Sequence, residues 1–253
     1  MNPSNYKFVF VAGLHRSGTS VLARSIEAHP AVSGFSGTGV PQDEGQFLQP
    51  VYPAAKEYGG PGKFGFEDAM HLTETSPLVS QENREKIVAG WSRYWDTDKP
   101  VLLEKSPPNL LKTRFLQALF PGSYFIVIMR HPVAVSYATQ KWSKASIKSM
   151  LEHWIVCYNR FEKDRKHLQH CLQLKYEDFV VDPGSYLKKI AAFIGLEALT
   201  PTERPQVEKD KNHAYLEAWK KEVNRLCTQD ESQFHNEYRG LREQIERFGY
   251  SLY

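Results

Sequence analysis

The sequence predicts an α/β fold in three layers, with a central, mainly parallel sheet flanked by helices. Short apolar runs at Phe8–Ala12, Pro100–Lys105 and Tyr124–Met129 read as buried strands and alternate with longer stretches at helical spacing. That alternation means parallel strands joined by right-handed crossovers. Tyr124–Met129 is apolar at every position, as suits a central strand covered on both faces. Polar clusters also follow three predicted strands, at Arg16–Ser20, Glu104–Ser106 and Arg130–Ser136. Ligands of parallel sheets bind at the carboxyl ends of the strands, so the three clusters point to one site.

The first strand runs into Gly13-Leu-His-Arg-Ser-Gly18, after which Val21, Leu22 and Ile26 set a helix over about 19–27. A strand feeding a helix through a Gly-x-x-x-x-Gly turn presents backbone N–H groups and a helix N-terminus to an anion, which makes the fold P-loop-like. Nucleoside triphosphate loops carry a lysine directly after the second glycine; here Thr19 stands there, and the positive charge sits at Arg16 inside the turn. His29-Pro30 ends the helix. From Gly34 to Gly65 eight of the sixteen glycines gather with four prolines, which predicts a structured loop. The 34–70 segment is expected to form an acceptor-side lid.

A helix opening at Ser80 or Asn83 is expected to reach Tyr94, with Ile87, Val88 and Trp91 on one face. Ser106-Pro107-Pro108-Asn109 starts another, which Pro121-Gly122 stops. Arg130-His131-Pro132 leads into a further helix, and about 146–167 form a long one. Leu172 and Leu174 alternate into a strand ending at Tyr176. Leu187, Ile190, Ala191 and Ile194 set a helix that Gly195 caps. The charged residues 200–253 read as a helical extension with two helices, near 215–226 and 232–248. No repeat or domain boundary appears, so residues 1–253 are expected to form one domain.

Composition excludes little but orients the search. The net charge of +3 suits a small anionic ligand and does not argue for nucleic acid or a membrane surface. Three cysteines, Cys157, Cys171 and Cys227, share no metal-ligand spacing and read as free thiols of a reducing compartment. No apolar run is long enough for a leader or a membrane span, so a cytoplasmic location is expected. No His/Asp/Glu cluster calls for a metal.

Gly13-Leu-His-Arg-Ser-Gly-Thr-Ser20 resembles the 5′-phosphosulfate loop of sulfotransferases, which use 3′-phosphoadenosine 5′-phosphosulfate as donor. Ala28-His-Pro-Ala-Val32, Glu104-Lys-Ser-Pro107, Phe125-Ile-Val-Ile-Met-Arg-His-Pro132 and Leu174-Lys-Tyr-Glu-Asp-Phe179 agree with that family in order and spacing. The likeness is greatest to the tyrosylprotein and heparan sulfate branches. It implies transfer of a sulfo group to an acceptor, most simply a hydroxyl, with no metal. Arg16 with Ser17, Gly18, Thr19 and Ser20 would face the 5′ end of the donor, and Arg130 the 3′-phosphate. The family's second 3′-phosphate ligand, a serine eight residues after the arginine, falls on Ala138; Ser136, Thr139 or a backbone N–H would substitute. Glu44 aligns with the glutamate base of those branches, with Asp43 as its rival and His15, His71 and His153 behind. Lys105 would touch the transferring group or orient the acceptor. A phosphotransferase of the kinase type and a non-catalytic binder of the bisphosphate nucleotide are the alternatives.

Overall fold

The computed structural model describes residues 5–197 and 211–252. Five strands, β1 (Lys7–Ala12), β2 (Val32–Ser33), β3 (Val101–Lys105), β4 (Tyr124–Met129) and β5 (His170–Lys175), form one sheet in the order β2-β3-β1-β4-β5. Every pairing is parallel. β1 lies at the centre, with β3 on one side and β4 on the other. The register Val11↔Lys105 and Val11↔Ile126 brings the ends of β1 and β3 side by side, with β4 running on to Met129. The predicted polar clusters therefore meet along one edge of the sheet.

Alternation along the strands sorts the core into layers. Val9, Val11, Leu103, Ile126 and Ile128 pack against α1 (Thr19–Glu27) and α7 (Pro183–Ile194). Phe8, Phe10, Leu102 and Phe125 turn the other way, onto α2 (Gln81–Trp91) and α3 (Thr113–Leu119). The Phe10 and Phe125 rings stack at 5.5 Å, with Trp91 and Phe120 closing the cluster. Removing a ring from such a core costs about 3–5 kcal/mol. Farther along, α4 (Pro132–Gln140), α5 (Ile147–Asp164) and α8 (Lys211–Arg247) enclose a third cluster around Trp154, Tyr158 and Trp219, and α6 (Tyr176–Val181) links β5 to α7.

Several boundaries fall where the sequence places them: α1, β4 and α7 match, Ser80 caps α2 through the Asn83 N–H, and Gly195 takes the left-handed conformation at φ 69°. Others differ. The expected helix after Ser106 divides into a 3₁₀ segment, Pro107–Leu111, and α3, because two adjacent prolines supply no N–H and Lys112 breaks the path at φ −130°. Tyr176 opens α6 and does not extend β5. The two helices expected at the C-terminal end are one helix of 37 residues. Nothing between Leu226 and Ser232 breaks it, since Cys227-Thr-Gln-Asp-Glu231 contains neither proline nor glycine. The start of the expected extension, 200–210, lies outside the described residues. Residues 34–70 form a chain of short 3₁₀ turns, as their glycine and proline content implies. Among the described residues no helix is long and apolar enough to cross a membrane.

Candidate active site

The turn after β1 is held tightly. Gly18 has φ 98°, and a Cβ there would lie 2.5 Å from the Tyr176 ring, so only glycine fits. Gly18 is also the N-cap of α1 and offers no side chain to the first-turn amides, which leaves them for a ligand. Arg16 is a non-glycine residue at φ 68°, a conformation that persists only where its surroundings over-determine it. Its carbonyl accepts a hydrogen bond from Arg130 Nη1 at 2.6 Å. Its guanidinium lies 4.9 Å from the Trp142 ring centroid, and its Nε is buried without a hydrogen-bond partner. A cation with a buried unused donor is suited to an anion.

Arg130 leaves the end of β4. Trp154 Nε1 donates to its carbonyl at 3.1 Å, and its guanidinium lies over the Tyr176 ring at 4.5 Å. Burial lowers its pKa from the usual value, against the pull of Tyr176 and Glu177. His131 shapes the turn into α4 by accepting from the Val133 N–H, and His29 serves Ala31 in the same way.

Glu44 comes from the loop facing β3. Gln42 and Asp43, just before it, both have positive φ (55° and 51°). Three hydrogen bonds hold this unusual pair. Asp43 Oδ1 accepts from the Thr38 N–H at 2.9 Å and hydroxyl at 2.6 Å, while Lys105 Nζ donates to the Gln42 carbonyl at 2.8 Å. After Glu44 the backbone is tied to the end of β3: the Gly45 N–H donates to Glu104 Oε1 at 3.0 Å and the Gln46 N–H to Ser106 Oγ at 3.0 Å. Trp91 Nε1 donates to the Gly45 carbonyl at 2.9 Å. A Cβ on Gly45 would fall 2.5 Å from the Glu104 side chain. Glu104 is fully buried and also accepts from Ser106 and Asn109; burial raises its pKa to about 7, against those hydrogen bonds and Lys105.

Glu44 itself is 6% exposed. Gln46 Nε2 donates to Oε2, and Lys105 Nζ stands 3.3 Å from Oε1. Burial raises the Glu44 pKa, with Lys105 and Gln46 pulling the other way. Its neighbour Asp43 is shifted down by the Thr38 hydrogen bonds. The two rival carboxylates thus differ in kind: one faces a cavity and the other staples a turn.

A cleft of about 640 Å³ opens over these strand ends. His15, Arg16, Gly18, Thr19, Ser20, Glu44 and Arg130 line it, and Phe47, Lys56 and Trp142 shape its outer part. Ser17 is fully buried beneath the loop. Lys105 lies behind Glu44 and borders a separate pocket of about 30 Å³ with Arg24, Glu27 and Asp43. Ser136 is also apart from the cleft. Expected beside Arg130, it is fully buried on α4, and its hydroxyl, Thr139 and His15 border a cavity of about 10 Å³. Helical geometry explains this: six residues from Arg130 is not the register of the family serine, and two positions turn a side chain by about 200°.

Of the histidines, His153 accepts from the Gly65 N–H at 3.0 Å, and burial lowers its pKa to about 3. His71 is paired with Asp164 at 2.7 Å, outside the cleft. His15 does border the cleft, but burial, His153 and Lys105 hold its pKa at about 3. Sequence reasoning did not single out Gln46, Trp142, Tyr176 or Asn212. Gln46 had a signal, since it sits two residues after Glu44, and Tyr176 lies in the Leu174–Phe179 motif at the end of β5; Trp142 and Asn212 join the site through long-range contacts.

A parallel sheet with a glycine turn after β1 and two arginines over its strand ends gives an α/β protein whose cleft suits an anion. The chain belongs to the sulfotransferase family, whose model matches residues 9–201. It is similar to protein-tyrosine sulfotransferase 2 of Gallus gallus, 23% identical over 202 residues, which cover 74% of this chain and 51% of that one. The chain therefore spans about half the length of this relative. Among solved structures, the sulfotransferase domain of the Synechococcus PCC 7002 olefin synthase aligns with a TM-score of 0.51 and 21% identity, covering 79% of this chain and 78% of that one. The sulfotransferase domain from the curacin biosynthetic pathway also gives a TM-score of 0.51, at 18% identity, covering 80% and 78%. At these identities the structures speak for the fold.

Proposed function

We propose that the protein transfers a sulfo group from 3′-phosphoadenosine 5′-phosphosulfate to an acceptor hydroxyl, with Glu44 as general base. The observation that carries this reading is that Glu44, Arg16 and Arg130 line one cleft over the ends of β3, β1 and β4. The donor supplies the sulfo group on a good phosphate leaving group. What the chain supplies is positioning and charge. The α1 N-terminus and Arg16, whose Nε is buried and unpartnered, suit the 5′ end. Arg130 suits the 3′-phosphate, since a guanidinium can hold it with two N–H groups. Thr19 in place of the loop lysine argues against a nucleoside triphosphate.

Glu44 suits a base because it is buried at the cleft wall with a raised pKa, so its affinity for a proton exceeds that of an ordinary carboxylate. Lys105 and Gln46 hold its two oxygens and orient it. Lys105 serves in this reading as a positioning residue. Ser136 is given no contact with the donor, because its hydroxyl faces the small cavity beside α4. The acceptor enters past Phe47, Lys56 and Trp142.

Calorimetry with adenosine 3′,5′-bisphosphate and ATP tests the donor assignment. Tight binding of the bisphosphate and weak binding of ATP are expected; the reverse order removes the reading. Transfer from labelled donor to a panel of hydroxyl acceptors then tests the activity, and no transfer to any of them favours a non-catalytic binder.

A further inference from the structure

Arg130 carries five N–H groups, and among the described residues three are used. Nη1 donates to the Arg16 carbonyl at 2.6 Å; Nε donates to Asn212 Oδ1 at 2.8 Å, and Nη2 donates to the same oxygen. One N–H on Nη1 and one on Nη2 are left. Each terminal nitrogen thus keeps one N–H that a phosphate oxygen can take.

Asn212 is in the first turn of α8, 82 residues from Arg130 in the chain. Its amide faces two ways. Oδ1 receives the flank of Arg130, while Nδ2 donates to Glu177 Oε1 at 3.0 Å. Glu177 Oε1 also accepts from the His131 N–H at 3.0 Å, and Oε2 from the Tyr250 hydroxyl at 2.9 Å. The Tyr176 ring lies against the guanidinium. A neutral amide can accept from Arg130 and donate to Glu177 at once. An aspartate would donate nothing to Glu177 and would neutralise the arginine.

From this geometry we infer that Asn212 is a positioning residue for the donor's 3′-phosphate: it fixes the plane of Arg130 through a neutral contact and leaves one N–H on each terminal nitrogen to the ligand. The inference rests on the assignment of Arg130 to that phosphate. It makes the start of α8, a segment far from the sequence motifs, part of donor recognition. It also separates two jobs at one arginine, with structural contacts on its flank and ligand contacts at its tip.

The test is calorimetry on the full chain with adenosine 3′,5′-bisphosphate and with adenosine 5′-monophosphate, which differ only in the 3′-phosphate. Asn212→Asp is expected to weaken the bisphosphate on the order of tenfold or more, the scale of a charge-assisted hydrogen bond, and to leave the monophosphate unchanged. Asn212→Ala and Asn212→Ser are expected to weaken the bisphosphate less, with the same selectivity, and they carry the test if the aspartate variant does not fold. Wild-type affinity for the bisphosphate in all folded variants overturns the inference. Equal losses for both nucleotides also overturn it, because a purely structural role has no selectivity for the 3′-phosphate. If the wild-type protein itself does not distinguish the two nucleotides, the assignment of Arg130 fails, and the inference built on it falls too.

Discussion

The two walls of the cleft are built on different principles. The Arg16 wall is laid out by consecutive residues: a strand, a glycine turn and a helix N-terminus set the path of Arg16, Gly18 and Thr19, which Arg130 and Tyr176 then brace. The Glu44 wall has almost no regular structure. It is a run of 3₁₀ turns fastened to β3 by Glu104, Ser106 and Lys105, 59 to 63 residues away in the chain. One wall is a local motif, and the other takes its shape from buried polar contacts across the fold. Substitutions in the first should change nucleotide affinity, and substitutions in the second should change turnover or stability.

The largest expected effect tests that division directly. Glu44→Gln keeps the size of the side chain and removes the base. The transfer rate is expected to fall by about 10²–10⁴-fold, the usual contribution of general base catalysis, with bisphosphate affinity unchanged by calorimetry. An unchanged rate would mean that Glu44 is only part of the wall.

Next is Glu104→Ala, which leaves the Gly45 N–H, the Ser106 hydroxyl and the Asn109 amide without their acceptor. Each buried unsatisfied donor costs about 1–3 kcal/mol, so a loss of at least about 3 kcal/mol is expected in denaturant unfolding. Gly45→Ala strikes the same junction from the other side. Its Cβ meets Glu104, and overpacking of this kind costs about 1–3 kcal/mol. If both variants unfold at the wild-type midpoint, the loop is not held at β3 as described.

The same contrast explains what the sequence could and could not disclose. The sheet, the glycine turn and Arg130 follow from local pattern, because apolar runs and a Gly-x-x-x-x-Gly spacing act on neighbouring residues. Glu44 was reached through resemblance, and no spacing rule separates it from Asp43. The separation comes from Thr38, which captures Asp43 and leaves Glu44 at the cleft. Lys105 illustrates the limit: a lysine at a strand end reads as solvent- or ligand-facing, yet its ammonium is turned back into the loop. Ser136 lies off the cleft because two positions along a helix turn a side chain by about 200°, and α8 is joined because charged residues without a breaker fit one helix as well as two.

The pH dependence should reflect the Glu44 wall. Burial raises the Glu44 pKa, so the carboxylate form needed in a base is present above that raised value and is lost as pH falls through it. The acid limb of kcat/KM is therefore expected above the ordinary carboxylate range. Asp43 is shifted the opposite way and stays ionised across this interval, so the turn it staples should persist while activity declines. Binding of the bisphosphate over the same pH range provides the control; a parallel loss would place the titrating group on the Arg16 wall.

The smallest effect is expected at Asp43. Asp43→Asn retains an oxygen for Thr38 but removes the charge, weakening two hydrogen bonds in a partly exposed turn. Hydrogen bonds to charged groups contribute roughly 1.5–3 kcal/mol and neutral ones about 1, so across the two bonds a stability loss of at least about 1 kcal/mol is expected. Transfer should slow by less than about tenfold, since the strained pair at Gln42 and Asp43 relaxes without removing the carboxylate that faces the cleft. A loss as deep as that of Glu44→Gln would reverse the roles of the two neighbours. Thr38→Val distinguishes the causes: it removes the hydroxyl contact and keeps the Asp43 charge, so it should match Asp43→Asn if the turn is what matters.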